Sequence, residues 1–224
     1  VPAVATNKTI LYTVTDPAVA AISAKGVVTP KANGATTVTA KTEDGGFEKT
    51  FTIRVETKVS GVELSDTSVS IEMGGTLQLT ATVLPKTASN QAVTWSSSDE
   101  TVATVDANGL VSTHTATGKA VITAKTADGD KTATCTITVT RKATGVSFDR
   151  TSQFLKVGET VTLYATVHPD NATNKKLQWS SANEAIATVD QTGVVTAKAR
   201  GNVVITVKTE DGGFTDACVI AVTE

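Results

Sequence analysis

Three in-register copies of one segment confine this chain to a series of small domains. "VTWSSSDETVATVDANGLVS" from Val93 returns as "LQWSSANEAIATVDQTGVVT" from Leu177, placing Trp95 on Trp179, Ala103 on Ala187, Asp106 on Asp190 and Gly109 on Gly193 at a constant offset of 84. A fainter copy, "ILYTVTDPAVAAISAKGVVT" from Ile10, fits at an offset of 83 and puts Tyr12 in the Trp position, Ala20 on Ala103 and Gly26 on Gly109. Downstream, "KTEDGGF" stands at Lys41 and Lys208, with "KTADGDK" at Lys125 between them. A period of this length exceeds a solenoid unit and suits a small β-sandwich. The front halves also align, "SGVELSDTSVSIEMGGTLQLTATVLP" from Ser60 with "TGVSFDRTSQFLKVGETVTLYATVHP" from Thr144, but only in the second and third copies. Val1-Pro2 aligns with Leu84-Pro85 and His168-Pro169, so the chain enters its own repeat about 25 residues in. The expected domains are residues 1–56, a partial module lacking its first strands, then 57–140 and 141–224. The joints "ETKVSGV" and "TRKATGV" contain no Pro-rich or Gly/Ser-rich spacer, so neighbouring modules are expected end to end, as a rod.

Composition sets the class of those domains. Thr, Val and Ile occupy 82 of 224 positions, and β-branched side chains favour strands over helices. Period-2 alternation then assigns the faces. Leu77, Leu79, Ala81 and Val83 alternate with Thr76, Gln78, Thr80 and Thr82, and Val161, Leu163, Ala165 and Val167 repeat the pattern. Near each module's end the inward residues are Phe51, Ile53 and Val55, then Cys135, Ile137 and Val139, then Cys218, Ile220 and Val222. With a Trp-bearing strand, short "TVATVD" and "GLVS" strands and a DG hairpin, each full module reads as about seven strands. The fold class is therefore all-β: tandem immunoglobulin-like sandwiches with an aromatic ring in mid-core. A net charge of −2 presents no basic face for nucleic acid, and no apolar run reaches the ~20 residues of a membrane-spanning helix.

At these residues the chain resembles the bacterial immunoglobulin-like domain of group 2. The features that carry the resemblance are the "SGVELS" and "TGVSFD" openings, "GGTLQLTATVLP", "VTWSSSDETVATVDANGLVS", the Gly118 and Gly201 turns, and "TATCTITVT". It covers 57–224 as two full modules and 1–56 as a partial one, the first departing most, with Tyr12 for Trp and Phe51 for Cys. The resemblance implies an extracellular module of a bacterial or phage protein, used as spacer, adhesive or scaffold, with no catalytic residues.

Residues that could carry chemistry have plainer structural readings. Cys135 and Cys218 hold the same place in consecutive modules, so a disulfide would have to bridge Cα atoms a domain length apart rather than ~7 Å. Two buried free thiols are expected. Trp95, Trp179 and Tyr12 could form a sugar-stacking platform, but their matched mid-strand places favour core. Tyr164, aligned with Thr80, and Phe154, aligned with Ser70, are the surface-contact candidates. Glu43, Asp44, Asp128, Asp130, Glu210 and Asp211 in the DG segments suit hairpin turns, with weak calcium binding at module ends as the alternative. His114 and His168 fall at non-equivalent positions without zinc-ligand spacing. Adjacent Asp99 and Glu100 do not make the facing carboxylate pair of a glycosidase.

The expectation is thus a structural and interaction protein, not an enzyme, needing no cofactor or metal. Its partners would be protein or cell-surface glycan, with no nucleic acid and no membrane insertion. A virion or filament component, or an accessory region of a secreted polysaccharide-active enzyme, are the alternatives. Residues 1–56 are not expected to fold alone, because a sandwich without its first strands exposes unpaired edges. Either further residues precede Val1, which fits a start without Met or leader, or a neighbouring chain donates strands to residues 1–56.

Overall fold

A computed structural model describes residues 6–224, and all regular structure in it is β. The Val1-Pro2 match lies outside the described residues. The first repeat contributes β1 (Ile10–Val14), β2 (Ala20–Ile22), β3 (Val28–Pro30), β4 (Gly34–Thr42) and β5 (Glu48–Val55). The second contributes β6 (Gly61–Leu64), β7 (Ser68–Glu72), β8 (Thr76–Gln78), β9 (Ala81–Leu84), β10 (Val93–Ser97), β11 (Ala103–Val105), β12 (Leu110–Thr113), β13 (Gly118–Thr126) and β14 (Thr132–Thr140). The third repeats that series as β15 (Gly145–Phe148), β16 (Ser152–Lys156), β17 (Thr160–Thr162), β18 (Ala165–His168), β19 (Leu177–Ser181), β20 (Ala187–Val189), β21 (Val194–Ala197), β22 (Gly201–Thr209) and β23 (Thr215–Thr223).

By packing, the chain divides into two compact units. One comprises Val1–Ser65, Thr80–Trp95 and Thr123–Thr134; the other comprises Asp66–Leu79, Ser96–Ile122 and Cys135–Glu224. In the first unit β1, β4 and β5 form an antiparallel sheet, and β6 pairs with β9. Asn33, in the turn before β4, donates from Nδ2 to the Thr87 carbonyl at 2.6 Å and accepts from Thr57 Oγ1 at 2.8 Å. A second, small core gathers Val59, Val83 and Ala88 below these loops.

The second unit holds the complete third repeat. One sheet has the order β16-β23-β22-β19; β17-β21-β20 and the β15-β18 pair lie opposite. The leading segment changes sheets: β15 pairs antiparallel with β18, then "DRT" turns the chain and β16 pairs in parallel with β23. Leu155, Ile205, Cys218 and Ile220 from one sheet meet Leu163, Val195 and Ala187 from the other, and Trp179 fills the middle. Its ring lies 5.5 Å from that of Phe148, tilted by 57°, a favourable aromatic arrangement.

The Trp179 ring also seals a turn. Gly193 has φ +87°, and a Cβ placed there would stand 3.1 Å from the Trp179 ring and 2.6 Å from the Leu163 carbonyl oxygen. In the first repeat Tyr12 lies over Gly26 in the same manner, with φ +77° and a ring carbon 3.1 Å from the would-be Cβ. Only glycine combines that backbone with so close an approach.

Two expectations need correction. Phe51 was placed on the core face but is 48% exposed, and Ile53 and Val55 are only half-buried. The reason is the sheet edge. β23 is flanked by β16 and β14 by β7, each in parallel, whereas β5 has no strand on its outer side among the described residues. The aromatic residues also differ in burial: Trp179 is 8% exposed, while Trp95 and Tyr12 are half-buried rather than sealed.

Removing the Trp179 ring should leave an interior void, so Trp179→Ala is expected to lose about 3–5 kcal/mol of stability in denaturant titrations. Half-buried Trp95→Ala should lose less. Gly193→Ala should cost about 1–3 kcal/mol, through a strained backbone and the crowded carbonyl.

Candidate functional site

The thiols are buried and the acidic side chains singled out in the sequence are engaged in turns or surface ion pairs. Cys135 and Cys218 are free and fully buried. Burial pushes both thiols above their ordinary range, so they stay protonated and poorly nucleophilic. They behave as the small hydrophobes that their strand phase implies.

The acidic hairpins are held by backbone. Asp128 Oδ2 accepts the Val59 N–H at 3.2 Å, and the matched Asp211 Oδ2 accepts the Ala143 N–H at 2.9 Å. Each carboxylate thereby ties the last hairpin of a repeat to that repeat's own entering strand. Thr126 Oγ1 donates to the Asp128 carbonyl at 2.8 Å and accepts the Lys131 N–H at 2.9 Å, closing the turn. Asp130 pairs with Lys125 at 2.8 Å, Glu210 with Lys176 at 3.7 Å, and Glu43 accepts from Asn7 Nδ2 at 3.2 Å. Among the described residues no group of three His, Cys, Asp or Glu side chains converges. No buried side-chain polar atom there lacks a partner.

Asp99, Asp106 and Asp190 organise the turns beside the aromatic strand. Asp99 accepts from the Thr101 hydroxyl at 2.6 Å and Asp190 from the Thr192 hydroxyl at 2.7 Å, while Asp106 accepts the Leu110 N–H at 2.8 Å. Those bonds hold all three carboxyls below their ordinary value of 3.8. At the place of Asp99 the third repeat has Asn183, whose Oδ1 accepts the Ala185 N–H at 3.0 Å. The same turn therefore forms without a charge, and Glu100 makes no carboxylate pair with Asp99.

One contact escaped the reading of the sequence. Ser147 Oγ lies 2.7 Å from His168 Nε2 across the β15-β18 pair. Its spacing resembles a nucleophile with its base, but among the described residues no side-chain carboxylate is hydrogen-bonded to the imidazole, and both residues stand on an open strand pair. His114 Nε2 approaches Thr104 Oγ1 at 3.1 Å in an equally exposed setting.

In the first unit an open groove of about 810 Å³ is lined by Asn33, Arg54, Glu56, Lys58 and Asp128. Its charges satisfy one another: Lys58 lies 3.4 Å from Glu56 and 3.7 Å from Asp128, and Arg54 lies 3.8 Å from Glu56. Exposed pairs of this kind contribute little stability, and the groove's hydroxyls, Thr57 and Ser89, are taken up in loop hydrogen bonds, Thr57 Oγ1 donating to Asn33 Oδ1 and Ser89 Oγ accepting the Thr57 N–H. Tyr164 and Phe154, the sequence's surface candidates, are 65% and 72% exposed.

The family model of the bacterial Ig-like domain (group 2) matches residues 1–53, 58–137 and 142–220. The chain belongs to this family. An Ig-like virion protein of Serratia phage KSP90 is 39% identical over 168 residues, which is 73% of this chain and 65% of the phage protein. An uncharacterised protein of Clostridium acetobutylicum is 34% identical over 75% of this chain and 18% of its own length. The chain thus spans less than two thirds of either relative. The kappa-carrageenase of Pseudoalteromonas carrageenovora is 47% identical over 34% of this chain and 19% of the enzyme. Among solved structures, the immunoglobulin domains 1–4 of Sidekick-1 align over 97% of this chain and 68% of theirs, at 16% identity and a TM-score of 0.46.

In this bacterial Ig-like chain the thiols should resist alkylation when folded and react fully after denaturation, and intact mass should show no disulfide. The three aspartates fix a pH dependence. A depressed folded pKa lends stability that is complete above the unfolded value and is lost as pH falls through the folded one. Denaturation midpoints should therefore decline below about pH 4, and Asp190→Asn should reduce the decline.

Proposed function

We propose that this chain is a non-catalytic structural and interaction region of an extracellular or virion protein, built of modules 1–56, 57–140 and 141–224. The observation that carries the reading is the disposition of its reactive groups. The two thiols and Trp179 are core filling, the aspartates are turn anchors, and the exposed imidazoles meet hydroxyls, His114 that of Thr104 and His168 that of Ser147. What remains for contact is sheet face and loop.

The phage virion relative supports a place on a particle, and the kappa-carrageenase, matched over 19% of its length, supports an accessory role beside a catalytic domain. Both readings use the modules to position something else and to touch protein or glycan. The outer side of β5, unpaired among the described residues, would accept a strand in parallel along Thr52–Val55 as β23 accepts β16, supplied by residues preceding Val1 or by a neighbouring chain. A concentration-dependent dimer in sedimentation would support the neighbouring chain as source, and a monomer at all concentrations would contradict it.

The non-catalytic reading is tested on Ser147 and His168. Chromogenic esters and glycosides should be turned over no faster by the chain than by Ser147→Ala or His168→Ala. Hydrolysis that disappears in both variants would overturn it.

A further inference from the structure

The outer face of the β16-β23-β22-β19 sheet departs from its counterparts in a patterned way. In the parallel β16-β23 register Ser152 stands opposite Val219 and Phe154 opposite Ala221; in β7-β14 the matched pairs are Ser68 with Thr136 and Ser70 with Thr138. Three hydroxyl positions of the second repeat have thus become Phe154, Val219 and Ala221 in the third. The first repeat has Thr52 and Arg54 at the last two. β22 extends the patch, since Val204 stands opposite Val219 and Asn202 opposite Ala221. Phe154 is 72%, Val219 42% and Val204 38% exposed. The inward neighbours Leu155, Cys218, Ile220 and Val203 are buried, so this is a true outer face.

Its charge is one-sided. The outward positions of the four strands include Lys156 and Lys208 and no carboxylate. Neither lysine forms an ion pair among the described residues, so both ammonium groups are available to a ligand. A second copy stacked on this face would set lysines against lysines. Four modest apolar side chains also fall short of the ~800 Å² per partner that a standard protein interface buries. A single ring standing beside low Val and Ala side chains suits the C–H face of a sugar, with the Asn202 amide able to bond its hydroxyls and the lysines its acidic groups.

We propose that the outer face around Phe154, Val219 and Ala221 binds an anionic polysaccharide, one sugar stacking on Phe154 with an acidic group meeting Lys156 beside it, and the polymer running along the sheet to Lys208, which stands opposite Thr215, roughly 20 Å from Ala221. The proposal rests on the non-catalytic contact role above and names its partner class.

Affinity electrophoresis of the whole chain through native gels containing polygalacturonate or a sulfated galactan, with neutral dextran as control, tests it. The chain should be retarded by at least one anionic polymer, less so as salt screens the lysines, and not by dextran. The double variant Phe154→Ser/Val219→Thr restores the residues of the second repeat and should keep its thermal midpoint. It should bind at least about tenfold more weakly, the loss of ring and apolar contact together. Lys156→Gln/Lys208→Gln should weaken binding and flatten the salt dependence. Retardation by neither anionic polymer, equal retardation in dextran, equal binding by the double variant, or self-association that the double variant abolishes would each overturn the proposal. Absence of binding would leave the non-catalytic reading standing, whereas Ser147-dependent hydrolysis would defeat that reading while the gel still reports on this face.

Discussion

An aromatic ring laid over a left-handed glycine is the constraint around which the sandwich of the third repeat closes. In the third repeat the Trp179 ring occupies the space that any side chain at Gly193 would need, and the Leu163 carbonyl bounds it from the other side. Trp179 sits on β19, Gly193 precedes β21, and Leu163 follows β17, so one contact joins both sheets. Phe148 then packs on the ring and brings in the leading strand. Tyr12 over Gly26 reproduces the contact in the first repeat with a smaller ring. Burial around this centre supplies the hydrophobic stabilisation, at about 25 cal/mol per Å² of apolar surface removed from water. The aspartate turns fix the loops that deliver the strands to it.

Apolar and polar side chains are sorted to different places in this fold. A sandwich of this size has one core, and its inward positions are filled by Val, Ile, Leu, Ala, Cys and Trp. Among the described residues the polar side chains point outward or cap turns, and every buried side-chain polar atom has a partner. What varies between repeats without damage to the core is the outer face. The change from Ser70, Thr136 and Thr138 to Phe154, Val219 and Ala221 shows how one scaffold carries different surfaces.

Much of this was legible in the residues. Period-2 alternation placed Leu79, Val83, Ile137, Leu163 and Ile220 in the core, and repeat alignment identified Cys135 and Cys218 as interior. The DG segments announced hairpins because Asp and Gly satisfy turn geometry locally. Phe51 was misread because alternation reports which way a side chain points, not whether a strand lies alongside to cover it. Trp95 keeps the inward phase of its strand yet is only half-buried, since a matched position fixes orientation, whereas burial depends on every neighbour. The proximity of Ser147 to His168 depends on the register of β15 against β18, which no local pattern encodes. The apolar face of the third repeat left one trace, Phe154 in the place of Ser70, but its continuity with Val204 and Val219 required the strand order.

The account stands on Trp179 being interior. Acrylamide quenching of a Trp95→Phe chain, in which Trp179 is the sole indole, measures this directly. Blue-shifted emission that resists the quencher until the chain unfolds is the expected result. Red-shifted emission quenched as readily as free indole would contradict a sandwich closed around that ring.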